Sequence, residues 1–273
     1  MIDEVSISNY KSIVNQRILT GNINLFVGSE ASGKTNILEA LGFAAAAHDN
    51  SLTADALMNR GIRAVPPSLT FHSYPQQQDQ KKEVEIQWYE KKSWKKTKLI
   101  CNDTDDIDPC WKDVSWIEPE YIIKINSLID YISDGTIEGE YPFQDEKKNE
   151  TLKSAFRASR NFRNYLIYNV NSDALLGETN ENLIALLMSD KTPSIFAVDN
   201  IEAIFSQQLY SGLLHTISQL AVLKHKQAFI TTSNLEIVEG LDITVPEHKL
   251  FLVKMVEGQT IIEEIKDKSL INI

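Results

Sequence analysis

Cysteine is scarce: Cys101 and Cys110 are the two in a chain of 273 residues. A disulfide framework is thereby excluded, and two free thiols in a reducing compartment fit better than a single bridge. Histidine and cysteine nowhere cluster at metal-ligand spacing, which removes zinc-type centres. No apolar run is long enough to cross a bilayer. The opening residues Met1-Ile2-Asp3-Glu4 are acidic where a secretory signal is basic, so the sequence is read as cytoplasmic, with no membrane partner. Heptads are not sustained anywhere, which excludes a long coiled coil, and no internal repeat is visible. Positive charge is also short. Lys and Arg number 27 against 38 Asp and Glu, a net charge of −11, which argues against broad electrostatic binding to nucleic acid by this chain alone. Local basic patches remain at Lys81-Lys82, at Lys91-Lys92 with Lys95-Lys96, and from Lys153 to Arg163. Each reads first as a solvated face. With 42% hydrophobic residues the chain can bury a sizeable core, in one or two domains.

What is present is organised around Gly28-Ser29-Glu30-Ala31-Ser32-Gly33-Lys34-Thr35. Asn24-Leu25-Phe26-Val27 before it has the apolar character of a buried parallel strand. Asn36 to Ala47 after it is rich in helix formers, with Ile37, Leu38, Leu41 and Ala45 on one face. Strand, glycine loop and helix are the context of a P-loop. Gly28 and Gly33 lack a Cβ, so the backbone can turn sharply and approach a phosphate. The loop N–H groups then form an anion nest, reinforced by the helix N-terminus. Lys34 can reach the β- and γ-phosphates, and the Thr35 hydroxyl can ligand Mg²⁺. From average residue usage the pattern arises by accident in roughly 1 in 100 chains of this length, and the flanks lower that further. Residues Gly28 to Asn36 are therefore the candidate ATP-binding residues.

A P-loop needs an acidic residue at the end of a neighbouring strand to hold the metal ion. Ile195-Phe196-Ala197-Val198-Asp199 supplies one: an apolar strand with an aspartate where the sheet ends. Thr35 and Asp199 are the candidate Mg²⁺ ligands. Elsewhere, Val5 to Ser8 and Arg17 to Thr20 read as strands around a turn at Asn9 to Ile13. Leu69 to Tyr74 reads as a strand. Lys82 to Glu90 and Trp94 to Cys101 read as an antiparallel hairpin. Asn102 to Asp113 is an acidic loop lacking the glycine and closing glutamate of an EF-hand. Trp111 to Ile129 suggests a packed helix or strand pair. Glu150 to Arg163 and Glu181 to Met188 read as helices, with a strand at Asn164 to Tyr168 between them. Gln207 to Leu223 reads as a helix, Gln227 to Thr232 as a buried strand, and Lys249 to Val256 with Thr260 to Ile265 as a closing hairpin. The fold expectation is α/β, with a mostly parallel sheet and an antiparallel β portion.

Taken together, Asn9-Tyr10-Lys11-Ser12, Gly28 to Leu41, Asp199-Asn200-Ile201-Glu202, and Thr231-Thr232-Ser233-Asn234 with Gly240-Leu241-Asp242 resemble the ABC-type ATPase heads of the SMC/RecF/OLD group. Within that group the chain looks most like the ATPase subunits of bacterial antiphage systems of the Septu type. The resemblance covers about residues 1–70 and 165–265. It implies a single head over 1–273, with a core at about 1–75 and 160–273 and a variable insert at about 80–155. It implies that the head binds ATP and Mg²⁺, pairs with a second head around two nucleotides, and gates a nuclease or other effector, with DNA or RNA reached through the complex. Carried over by position, Lys11 would approach the phosphates and Gln76 to Gln78 would be the Q-loop candidate, a polar turn being the equal alternative.

Three departures from the family pattern matter. The residue after the Walker-B aspartate is usually a glutamate that polarises the attacking water, and here it is Asn200. An amide accepts no proton, so a contribution of ~10²–10⁴-fold is missing at that position. Glu202 is nearby in sequence. The switch histidine is replaced by Ser233, which cannot be a cationic sensor of the γ-phosphate. No clear signature loop exists; Leu175-Leu176-Gly177-Glu178-Thr179-Asn180 is the candidate, and a plain loop is the simpler reading. Lys34, Asp199, Asn200, Glu202 and Ser233 are thus the candidate catalytic positions, and the expected protein binds ATP well and hydrolyses it slowly, if at all. A RecF-like DNA-end-binding ATPase and a nucleotide-binding scaffold are the alternative readings; a small-molecule kinase is a minor fourth.

Overall fold

The computed structural model describes residues 1–48, 57, 62–63, 69–72, 83–90, 92–100, 113–118, 121–123, 166–169, 195–203, 207, 210–223 and 225–271. Two sheets and the helix between them position the P-loop. The first sheet is antiparallel. Its strands β1 (Ile2–Tyr10), β2 (Ile13–Leu19), β4 (Glu83–Glu90), β5 (Ser93–Ile100), β6 (Asp113–Glu118) and β7 (Tyr121–Ile123) lie in the order β2-β1-β4-β5-β6-β7. The second contains β3 (Ile23–Val27), β8 (Leu166–Asn169), β9 (Ile195–Asp199), β10 (Gln227–Thr232), β11 (His248–Val256) and β12 (Gln259–Glu264), in the order β12-β11-β3-β10-β9-β8. All its pairings are parallel except β11 with β12. The architecture is thus α/β, with the parallel and antiparallel portions that the sequence pattern led one to expect.

Helix α1 (Lys34–His48) runs between the two sheets. One hydrophobic cluster joins Ile2, Val5, Ile7 and Trp88 of the first sheet, Ile37, Leu38, Leu41, Phe43 and Ala44 to Ala46 of α1, and Phe26, Ile195, Phe229 and Phe251 of the second. The sequence reading gave α1 a single apolar face. The helix is in fact buried nearly all round, and its run of alanines is the reason it fits between two sheets. Strand β3 divides by alternation: Phe26 faces α1, while Ile23, Leu25 and Val27 face a second cluster. That cluster is closed by Leu213, Leu214, Ile217 and Ala221 of α2 (Tyr210–Leu223) and by Ile237 and Val238 of α3 (Leu235–Glu239). Helix α3 starts at Asn234, whose side chain accepts the N–H of Glu236 as an N-cap.

One of the ties between the sheets is a glutamine. Gln227, buried at the start of β10, accepts the Ile2 N–H at 2.9 Å and donates to the Ile2 carbonyl at 2.7 Å. Its amide thus pairs with the backbone of β1 as another strand would.

The hairpin read at Lys82 to Cys101 is β4 and β5, and β4 pairs with β1 in register from Glu4↔Tyr89 to Ser8↔Glu85. Its charged face is paired rather than merely solvated. Lys96 bonds Glu85, and Lys98 bonds Glu83 at 2.7 Å. Lys95 departs from the solvated reading: it is 2% exposed and bonds Glu90 at 3.3 Å. Within Leu69 to Tyr74, residues Leu69 to His72 are described, and they form no strand; Phe71 makes a single bridge to Tyr10. The helices read at Glu150 to Arg163 and Glu181 to Met188, the basic stretch from Lys153, Gln76 to Gln78 and Leu175 to Asn180 lie outside the described residues, as does the acidic loop read at Asn102 to Asp113 save Asp113, which opens β6 instead.

Candidate functional site

The register of the parallel sheet places the two halves of the site. Strand β10 lies between β3 and β9, with Ile230 level with both Leu25 and Val198. Asp199, the last residue of β9, therefore emerges beside Thr231, and the glycine loop springs from β3 one strand further on. Two strand spacings separate β3 from β9, about 10 Å. The loop crosses that distance: the Thr35 hydroxyl at the start of α1 donates to the Asp199 carboxylate, 3.0 Å from Oδ2 and 3.2 Å from Oδ1.

Backbone chemistry explains the glycines. Gly33 has φ +97°, and a Cβ there would sit 1.9 Å from the Thr260 hydroxyl. A Cβ on Gly28 would sit 2.2 Å from the Val253 carbonyl. The loop is thus pressed against β11 and β12, where only hydrogen fits. Thr260 is fully buried and bonds the Ser12 hydroxyl at 2.6 Å. Ser12 in turn accepts from the Asn36 amide at 2.6 Å. The turn after β1, the loop and β12 form one hydrogen-bonded block.

The loop, β9 and the segment after β10 enclose a cavity of about 550 Å³. Glu30, Ala31, Ser32, Gly33, Lys34, Thr35 and Asn36 line one side. Asn200, Glu202 and Ser233 line the other, with Ser12, Arg63 and Met255 completing it. Lys34 is 5% exposed, and its ammonium donates to the carbonyls of Gly28 at 2.8 Å and Ser29 at 2.7 Å. Burial lowers its pKa, opposed by the charges of Glu202, then Asp199, then Glu30. Burial likewise raises the Asp199 carboxyl above its usual range, and the hydrogen bonds from Thr231 and Thr35 only partly offset it.

Thr231 does double duty. Its hydroxyl donates to Asp199 Oδ1 at 2.6 Å and accepts the Asn200 N–H at 2.8 Å. Thr231→Val is expected to leave both groups short of a partner inside the protein. The cost should be about 1–3 kcal/mol, read as a lower urea midpoint at unchanged slope. An unchanged midpoint would contradict this role.

Asn200 has a left-handed backbone, φ +51°, which asparagine tolerates better than most residues. The chain then reverses through a short helical turn, Ile201–Ala203. This reversal brings Glu202 back to the cavity, where its Oε1 accepts from the Ser233 N–H at 2.7 Å and from the Ser233 hydroxyl at 2.8 Å. Ser233 therefore holds a carboxylate rather than standing alone at the position of a sensor.

Lys11, read as a phosphate ligand, is engaged elsewhere. Its ammonium lies 2.5 Å from Glu39 of α1. Among the described residues, the cation that lines the cavity beside Lys34 is Arg63, which sequence reasoning passed over. Arg63 bonds both oxygens of Glu39, at 2.7 and 3.0 Å, and the Asn36 side-chain carbonyl at 3.1 Å. Glu39 was legible in principle: a lone carboxylate within Ile37-Leu38-Glu39-Ala40-Leu41 must be paired if that helix is buried. Arg63 carries no such signal, because its position depends on where the chain returns.

A family model described as an AAA ATPase domain matches residues 1–184, two thirds of the chain. The chain belongs to the AAA ATPase domain family. The match ends before Asp199, so the pairing of Thr35 with that aspartate is a finding about this AAA ATPase domain independent of it. No curated protein matches the chain. Among solved structures, the SMC head domain with a coiled coil and joint from Pyrococcus yayanosii is similar, with a TM-score of 0.54 at 8% identity over 97% of each chain. The SMC head domain from Thermotoga maritima gives a TM-score of 0.49 at 12% identity, over 97% of this chain and 98% of that one. At such identities the likeness to the Pyrococcus head concerns the fold alone: an SMC-head-like P-loop fold with no long coiled coil among the described residues. No helix among the described residues is long and apolar enough to cross a membrane.

The donor set of this AAA ATPase domain suits a magnesium ion. Thr35 and Asp199 offer hard oxygens side by side. The described residues hold no group of three or more His, Cys, Asp or Glu that could cage a metal. Magnesium tolerates that, since it commonly takes one or two protein oxygens and completes its shell with substrate phosphates and water.

Proposed function

We propose that this chain is the ATP-binding subunit of a bacterial antiphage defence system: a head that binds Mg-ATP, pairs with a second copy around the nucleotide, hydrolyses it slowly, and so sets the state of a partner nuclease or effector. The single observation that carries the nucleotide part is the contact of Thr35 with Asp199 beside the buried Lys34. Gly28 to Asn36 would cradle the phosphates, and Arg63 would meet them from the side of Asn36. Thr35 and Asp199 would hold magnesium, which when bound supplies charge neutralisation at the β- and γ-phosphates. The charge balance of the cavity supports that need. Lys34 and Arg63 face the carboxylates of Glu30, Glu202 and the adjacent Asp199, so a triphosphate meets no net positive charge without the metal. The defence role, the effector and the pairing of heads rest on the motif resemblance; the net charge of −11 disfavours the DNA-end-binding alternative.

Slow turnover is expected because Asn200, the residue after the Walker-B aspartate, lines the cavity and cannot accept a proton, so any base must come from another position. The test is titration of the purified chain with ATP, with and without Mg²⁺, alongside light scattering and steady-state hydrolysis. Mg²⁺-dependent binding, ATP-dependent doubling of mass and turnover below ~0.1 s⁻¹ are expected, against a median of roughly 10 s⁻¹ for enzymes in general. Hydrolysis at ordinary rates sinks the slow-turnover reading, and a mass that stays monomeric with ATP sinks the pairing. Binding of duplex DNA at physiological salt would favour the RecF-like alternative instead.

A further inference from the structure

We infer that Glu202, held in place by Ser233, is the carboxylate that orients the attacking water and takes its proton, the role that Asn200 cannot perform. This rests on the ATPase reading above. Four observations meet at this side chain. Glu202 lines the cavity opposite the P-loop. Its Oε1 is fixed by two donors from one residue, the Ser233 N–H and hydroxyl. Its Oε2 is buried and has no hydrogen-bond partner among the described residues, so its acceptor capacity is unspent. Lys34, the residue that would reach the terminal phosphate, lines the same cavity.

The backbone explains how a residue three positions beyond Asp199 reaches this place. The left-handed turn at Asn200 and the helical turn after it reverse the chain. The Tyr210 hydroxyl then pins that turn from α2, donating to the Glu202 carbonyl at 3.0 Å. A glutamate at position 200 would have to adopt the same left-handed backbone, which long side chains disfavour. In the step itself, the water oxygen bonds the γ-phosphorus as the bond to the bridging oxygen breaks. The electron pair of that bond leaves with ADP, and the water's proton passes to Glu202 Oε2 and then to the phosphate product. Ser233 is a positioning residue: it holds Oε1 and leaves Oε2 without a partner among the described residues.

The test is Glu202→Gln, which preserves shape and the bond from Ser233. Turnover should fall at least ~100-fold. ATP affinity should rise about three- to tenfold, because one negative charge beside the terminal phosphate is removed, while ADP affinity stays the same. Ser233→Ala should lower kcat about tenfold at unchanged KM, with Ser233→Thr restoring it. Asn200→Glu should raise turnover by less than about tenfold. Wild-type turnover in Glu202→Gln with ATP still bound overturns the inference, as does a large gain in Asn200→Glu. An ATP-binding wild type with no turnover at all overturns it too, while leaving the nucleotide reading intact. Failure of the wild type to bind ATP is a different result, and removes that reading together with this one.

Discussion

Lys34→Ala is expected to weaken Mg-ATP binding by at least ~100-fold, measured by calorimetry or a fluorescent ATP analogue, with the fold retained by circular dichroism. The reason is electrostatic. The ammonium is almost wholly buried, and in the structure it bridges the Gly28 and Ser29 carbonyls at the base of the loop. Among the described residues, removing it leaves Arg63 as the other cation lining the cavity, against Glu30 and Glu202. A triphosphate would then enter a negative cavity of low dielectric, where like charges cost most. The same substitution removes two donors from the loop carbonyls, so a small loss of thermal stability should accompany it. Unaltered affinity would discard the P-loop assignment and with it the functional reading.

Glu39→Gln is expected to lower stability by about 3 kcal/mol at pH 7, because it strands two cations around a buried site. That corresponds to a fall in Tm of roughly 6–12 °C. Glu39 is 1% exposed and stands between Lys11 and Arg63. Burial alone would raise its pKa, but hydrogen bonds from Arg63 and then the charge of Lys11 outweigh it and hold the carboxyl below the usual glutamate value of 4.5. Lys11 is itself lowered, since its own burial exceeds the pull of Glu39. Arg63 is raised, first by its hydrogen bond to Glu39.

The pH dependence follows in sign. A carboxyl with a depressed folded pKa contributes stability above its unfolded value, and that contribution fades as pH falls through the folded value. The difference between wild type and Glu39→Gln should thus be full near neutral pH and shrink below about pH 4.5. Asp199 acts in the opposite sense, because its folded pKa is raised and protonation then favours the folded chain. It is present in both proteins, and because the charge of Glu39 is only a lesser cause of that shift, behind burial, most of it cancels in the difference. A gap that stays constant down to pH 3 would contradict the role given to Glu39.

The sequence by itself determined the phosphate loop, the strand before it, the helix after it and the aspartate at the end of β9. These are local: turn chemistry, a run of apolar residues and a residue type at a strand end are all decided within about ten positions. The alternation of Val84, Ile86 and Trp88 likewise made β4 legible as a strand. Tertiary structure alone decided what those pieces meet. That α1 is buried on both sides, that β4 joins β1 across more than seventy residues, that Arg63 rather than Lys11 reaches the cavity and that Glu202 folds back onto Ser233 all depend on register between distant segments. Register is set by which side chains fit together once the sheets pack, and each such pairing has many rivals of similar local energy until the whole core closes.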